Sequence, residues 1–321
     1  NSLAASLEAL AFIRQRHGKG EILFFRDGAD SQARETLAER VQDLFAYRAL
    51  QKSRIGLIGE SSEWLVASTL DDTVFKTRWG VTIVHYALDE VFGGLAGAHP
   101  GAEVPAVSGF AAAAPAFHAA WRVHELLQRL AVDEELDGLS VECFTLFQRH
   151  NTHGCFALSR LNDQGIIAGC EGDLVSTTAM LWLKLLLGEA AWMANPVEID
   201  AAGKELWLAH CTVPTSMVTR YAEATHFETG CGVAIAGVLA NGPVTLVRIG
   251  GGQLDRIWVA DAEIVNTGSS PQRCRTQVLI RFKEHFLLNE LLQRPLGNHL
   301  VLIRGHHAAR LSGWWRMFIA S

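Results

Sequence analysis

Acidic, imidazole and thiol side chains gather in a few short runs of this chain. The first is Cys170-Glu171-Gly172-Asp173, between an apolar run ending at Gly169 and a helical pattern beginning at Asp173. In open α/β sheets ligands collect at the carboxyl ends of strands, and a helix N-terminus favours negative charge. One acid is enough to cap the helix, and Asp173 is placed to do so. Glu171 is then the better candidate for ligand binding, and the plainer alternative is two acids that both satisfy a helix start. The second run is Leu208 to Pro214, where His210 and Cys211 offer an imidazole and a soft sulfur, or else a buried histidine and an inert thiol. In the third, Thr225 to Gly232, His226 and Glu228 stand two apart. On an extended segment they share a face, which suits a substrate pocket or a metal, and a surface turn is the plainer alternative.

Histidines occur again at Gly297-Asn298-His299 and Gly305-His306-His307. His306 and His307 are adjacent and diverge, as at a solvated helix start. His299 precedes the apolar run Leu300 to Ile303 and is the better inward-facing ligand. His150 and His153 flank Asn151 and Thr152; they could bind a metal, but a surface loop is the preferred reading. Gly56-Leu57-Ile58-Gly59 falls short of a dinucleotide fingerprint, and Gly250-Gly251-Gly252 reads as a hairpin turn.

These runs need a scaffold to bring them together. Helical patterns cover 2–16, 30–50, 116–131 and 173–187. Strand-like apolar runs fall at 21–25, 54–59, 81–85, 139–144 and 165–169. Such alternation predicts an α/β fold with an open, mainly parallel sheet. The alanine-rich stretch 110–120 reads as a loop entering a helix. After residue 190 the rhythm changes to strands at 205–209, 232–239, 244–249, 256–259 and 277–282, with helix at 283–292 and at the C-terminus. The expected organisation is the remainder of an N-terminal α/β domain over 1–53, a central α/β domain over 54–190, and a β-rich C-terminal domain over 191–321.

The chain has 321 residues, 49% of them hydrophobic and 19% charged, so it can bury a sizeable core. A net charge of −6 with no basic stripe argues against a nucleic-acid partner. The longest apolar stretch, 179–194, is too short for a membrane span and carries Lys184 and Glu189. The six cysteines show no C-x-x-C spacing, which predicts reduced thiols in a cytoplasmic protein. The opening Asn1-Ser2-Leu3 lacks an initiator Met and runs straight into a helical pattern, as if an N-terminal portion were absent.

The runs GLIGESSEWLVAS (56–68), VECFTLF (141–147), GIIAGCEGDLVSTTAM (165–180), LAHCTVP (208–214), THFETGCGVAIAG (225–237), VTLVRI (244–249) and GNHLVLIRG (297–305) together resemble the L-fucose/L-arabinose isomerase superfamily. The resemblance implies aldose–ketose isomerisation of a sugar, and a divalent metal, usually Mn²⁺ (or Mg²⁺ or Co²⁺). It implies a homo-oligomer, trimer or hexamer, and a missing N-terminal domain. The metal would be held by two acids and a histidine between the second α/β domain and the C-terminal β domain. On this pattern Glu171 is the first acidic ligand and possibly the base, and His299 is the histidine ligand. The slot of the second acid holds Asn195, whose amide can ligate a cation but cannot act as a base. Glu198 and Asp200 lie nearby as substitutes. His210, His226 and Glu228 would line the substrate pocket. Asn195 also leaves room for another sugar-directed activity (lyase, epimerase or hydrolase), or for a non-catalytic sugar-binding subunit.

Overall fold

The computed structural model describes residues 2–95 and 114–320. Two helices open it, α1 (Ser2–Gln15) and α2 (Ser31–Leu50). α2 starts where the Asp30 carboxylate accepts the Ala33 N–H at 3.0 Å. The strand expected at 21–25 does not form. Phe24 and Phe25 face solvent and no neighbouring strand pairs with the segment.

The parallel sheet follows. Its elements are β1 (Arg54–Ile58), α3 (Asp72–Trp79), β2 (Thr82–Tyr86), α4 (Leu88–Phe92), α5 (Ala114–Asp133), β3 (Gly138–Val141), α6 (Cys143–His150), α7 (Cys155–Asp163), β4 (Ile167–Cys170) and α8 (Leu174–Leu187). The strands run parallel in the order β2-β1-β3-β4. β3 and β4 are buried throughout, as sandwiched parallel strands are, and carry no charged residue. β3 stops at Val141 rather than running to 144. Glu142 leaves the sheet there, its N–H bonded to Ile58 O at 3.0 Å, and α6 begins one residue later. The loop expected at 110–120 falls in part outside the described residues.

The second half is built from β5 (Trp192–Asp200), β6 (Glu205–His210), β7 (Arg220–Ala224), β8 (Ala234–Val238), β9 (Gly242–Gly250), β10 (Arg256–Thr267), β11 (Thr276–Phe282), α9 (His285–Gln293), β12 (Leu300–Arg304) and α10 (Ala308–Phe318). Six of these strands close into an antiparallel barrel, β10-β11-β6-β5-β12-β9, while β7 and β8 pair separately. Closure leaves the barrel no free edge. β5 hides in the sequence because Pro196 interrupts it. The register shift between Pro196 and Glu198 is the bulge at which a strand tolerates proline.

One hydrophobic core runs through both halves. It contains Leu57, Val141 and Trp182 from the sheet side together with Val247, Ile249, Val301 and Ile303 from the barrel. α8 is buried on nearly every side because it lies between the two layers. The compositional change near 188–195 thus marks a change of element type, and packing continues across it. No helix among the described residues is long and apolar enough to cross a membrane.

Candidate metal centre and its cavity

Glu171 follows β4 at the carboxyl edge of the sheet. Its backbone is left-handed, φ 62°, an uncommon conformation for a side chain larger than glycine and one that concentrates at functional sites. Gly172 continues the turn at φ 65°, and a Cβ there would stand 2.4 Å from Glu60 O. The loop after β1 holds the turn through Ser62 N–H to Glu171 O (2.9 Å) and Ser61 Oγ–H to Gly172 O (2.8 Å). Trp64 donates its indole N–H to Glu171 Oε2 at 2.7 Å. The other oxygen, Oε1, lies 3.5 Å from His299 Nε2 and 3.8 Å from His210 Nε2.

His299 is fully buried just ahead of β12, and its Nδ1 lies 2.9 Å from Asp173 Oδ2. Asp173 also caps α8 by accepting Ser176 N–H at 2.8 Å, and it faces the Arg248 guanidinium at 3.3 Å. The cap expected of Asp173 is present, and the same carboxylate orients a histidine. With Nδ1–H donated to Asp173, Nε2 turns toward Glu171 and is buried without a hydrogen-bond partner. Burial alone would raise both carboxyls. The charge of Arg248 and the His299 bond hold Asp173 well below the usual range, and His210 and His299 do the same for Glu171. Burial would lower His299, but its bond to Asp173 and the nearby Glu171 push it up to about 9. His210 ends β6. Its Nδ1 is 2.9 Å from the Thr212 hydroxyl, which leaves Nε2 facing Glu171.

Glu171, His210 and His299 each bring one ligand atom within 4.8 Å of the others. A carboxylate oxygen and two imidazole nitrogens form a donor set for a borderline divalent cation. The unpartnered Nε2 of His299 fits the same role. Asn195, on β5, lines the adjoining cavity, and its Oδ1 is buried without a partner. Glu198 and Asp200 are exposed. The first pairs with Arg273, and the second accepts Gly203 N–H at 3.0 Å in the β5–β6 turn.

The cavity holds about 280 Å³ and is lined by Glu171, Asn195, His210, His226, Glu228, Gln272 and Arg273 among its polar residues. Phe144, Val197 and Phe227 form apolar wall. His226 and Glu228 both reach it, but from a turn closed by Gly230 N–H to His226 O (2.9 Å), not from an extended segment. His299 lies behind the wall, 0% exposed. His306 and His307 stay away: His306 pairs with Glu263 at 3.1 Å, and His307 bonds Arg304 O at 2.7 Å. His153, read as a surface residue, is buried in the cavity wall and stacks on Phe147 at 4.8 Å. Arg248 and Trp64 are functional neighbours of the centre that sequence reasoning misses. A lone arginine within VTLVRIG was the available signal, since a buried guanidinium requires a carboxylate.

The fold places a polar cavity between a parallel sheet and an antiparallel barrel, with Glu171, His210 and His299 beside it as a group that could hold a metal ion. No family model matches the chain. It is 25% identical over 204 residues to the sulfoquinovose isomerase of Alkalicoccus urumqiensis, covering 60% of this chain and 45% of that protein. It is 23% identical over 239 residues to the sulfoquinovose isomerases of Priestia aryabhattai and Priestia megaterium, covering 70% of this chain and 53% of each relative. The chain thus spans about half the length of the curated relatives it matches.

Proposed function

We propose that this chain carries the centre of a divalent-metal-dependent aldose–ketose isomerase of the fucose/arabinose type, acting on a sugar or sugar derivative such as a sulfonated hexose. The observation that carries the reading is the convergence of Glu171, His210 and His299, within 4.8 Å, beside a polar cavity. The names of the relatives supply the sugar class. Glu171, His210 and His299 would hold the ion, with the Asn195 amide oxygen beside them, and Mn²⁺ is the first choice over Mg²⁺ or Co²⁺. When bound, the ion stabilises negative charge developing on substrate oxygens.

The chain's own residues supply the rest. Asp173 and Thr212 hold the two imidazoles in ligand orientation. Trp64 fixes the second oxygen of Glu171. Isomerisation moves a proton between neighbouring carbons, and Asn195 cannot take one. Glu171, kept ionised by its histidines, suits a ligand better than a base. The other carboxylate of the described cavity wall, Glu228, is assigned the proton transfer, a step contributing roughly 10²–10⁴ in rate. Gln272 and Arg273 would bind the sugar's polar groups, and Arg273 offers a cation to an anionic one. We further propose a cytoplasmic homo-oligomer, trimer or hexamer. Leu37, Val41, Leu44 and Phe45 of α2 stand exposed, as expected of a face that meets another chain.

Asn195 in place of an acid supports a second reading, a sugar lyase, epimerase or hydrolase on the same centre. The test is to load the protein with Mn²⁺ and follow aldose and ketose forms of sulfoquinovose and of neutral sugars by NMR. Interconversion that disappears in Glu171→Gln supports the isomerase. Tight Mn²⁺ binding without interconversion of any of them would remove it in favour of the second reading.

A further inference from the structure

The same cavity wall holds a second group of ligand-type side chains that the isomerase centre does not use. His153, Cys155 and His226 each place a ligand atom within 4.8 Å of the others. They are 1%, 2% and 7% exposed. Cys211 packs against Cys155 within a buried sulfur cluster that Cys274 borders. These residues come from distant segments: the start of α7, the end of β6, and the turn after β7.

Details at individual atoms point to a ligand. His226 Nδ1 is buried without a hydrogen-bond partner. A buried polar nitrogen in that state costs free energy unless something meets it. His153 Nε2 lies 2.8 Å from the Thr229 hydroxyl, which fixes the ring and leaves Nδ1 for an ion, much as Asp173 fixes His299. The Cys211 sulfur accepts the Arg275 backbone N–H at 3.4 Å, a contact that favours the thiolate. The His153 and His226 rings are stacked 4.2 Å apart, so closing on one ion requires the His226 ring to turn edge-on.

We propose that His153, Cys155, Cys211 and His226 form a second metal site, specific for a soft divalent cation such as Zn²⁺. Thiolate and imidazole donors select zinc over manganese, and two of each complete a tetrahedral set. A set with no open position is structural. The ion ties the α6–α7 segment of the sheet layer to the barrel and to the β7–β8 hairpin, fixing the wall that carries Glu228. This site stands independently of the reaction assigned to Glu171, which lacks a thiol ligand.

Co²⁺ serves as the optical probe, because thiolate-to-cobalt charge transfer absorbs in the near ultraviolet and carboxylate or imidazole ligation does not. Chelator-stripped protein is titrated with Co²⁺, alongside Cys155→Ser, His226→Gln, Glu171→Gln and Cys231→Ser. The thiolate band is expected in the parent, in Glu171→Gln and in Cys231→Ser. It should vanish in Cys155→Ser and weaken in His226→Gln, and Zn²⁺ should displace cobalt and raise the Tm of the parent. Circular dichroism identifies any variant that fails to fold, and the parent spectrum then decides alone. A parent without the thiolate band at saturating Co²⁺, or a folded Cys155→Ser variant with the band unchanged, overturns the proposal.

Discussion

Asp173 Oδ2 and His299 Nδ1 meet at 2.9 Å across 126 residues of chain, and neither side chain touches solvent. The contact decides which nitrogen of His299 faces Glu171. An ionised carboxylate accepts the Nδ1–H and stabilises the protonated ring, so a cation arriving at Nε2 would displace the second proton. Such outer partners raise the basicity of a ligating imidazole and hold its ring in place.

Asp173→Asn isolates that role. Asparagine still caps α8, but its amide no longer enforces the tautomer. Mn²⁺ affinity is expected to fall about 10–100-fold. The change also leaves Arg248 without its carboxylate, so stability falls with it, and circular dichroism must show that the titrated protein is folded. Calorimetric titration measures the affinity. Unchanged affinity would show that the contact serves only the helix cap.

Asn195→Asp tests the charge of the centre. The buried Oδ1 of Asn195 has no partner, so a carboxylate there displaces nothing. Added ligand charge should tighten Mn²⁺ binding, since charge count tunes affinity for hard cations. Titration of the variant beside the parent gives the answer, and equal affinities would place the ion away from β5.

Arg248→Met probes the charge behind the centre. The guanidinium is 1% exposed and donates to Ser176 Oγ at 2.6 Å and to Ser68 Oγ at 2.5 Å, with Asp173 at 3.3 Å. Removing one partner of a buried pair costs about 3–5 kcal/mol. Urea denaturation should show that loss. Adding Asp173→Asn should recover part of it, because the uncompensated carboxylate is then gone. A loss well under 1 kcal/mol would mean that water replaces the guanidinium.

A pH prediction rests on His124, a buried residue of α5 bonded through Nε2 to Gln164 Oε1 at 3.1 Å. Burial lowers its pKa from the ordinary 6.5, opposed by the Gln164 bond. The folded state thus favours the neutral ring. Its contribution to stability is complete above the unfolded value of about 6.5, and it is lost as pH falls through the lower folded value. His124→Gln retains a donor for Gln164 and does not titrate. The difference in urea midpoint between pH 7 and pH 5 should be smaller in the variant. An equal difference would assign the acid sensitivity to other groups.

The parallel sheet was legible because strands buried on both faces exclude charge and are mostly apolar, as in Gly138–Val141 and Ile167–Cys170. Glu171 and His299 stood out by residue type at a strand–helix junction and before an apolar run, and they lie 3.5 Å apart. What escaped the sequence depends on long-range contact. The 21–25 segment has a strand's composition but no partner strand. β5 has partners on both sides but carries a proline. His153 reads as a loop residue, and only the closure of the β7–β8 hairpin over it, through Thr229, makes it buried. No local pattern announces that His210, the last residue of a barrel strand, faces Glu171 from the sheet.

The double use of Asp173 also has a consequence in time. During synthesis the carboxylate emerges long before its partners, Arg248 following 75 residues later and His299 126 residues later. At about 5–20 residues per second, the wait for His299 lasts roughly 6–25 s. Over that interval α8 can form and be capped, but its buried face has no barrel to cover it and Asp173 has no counter-charge. The nascent sheet layer therefore spends seconds with an open apolar helix and an incomplete ion site. The arrival of β12 brings His299 to Glu171, so Mn²⁺ binding at the proposed centre would report that the last barrel strand is in place.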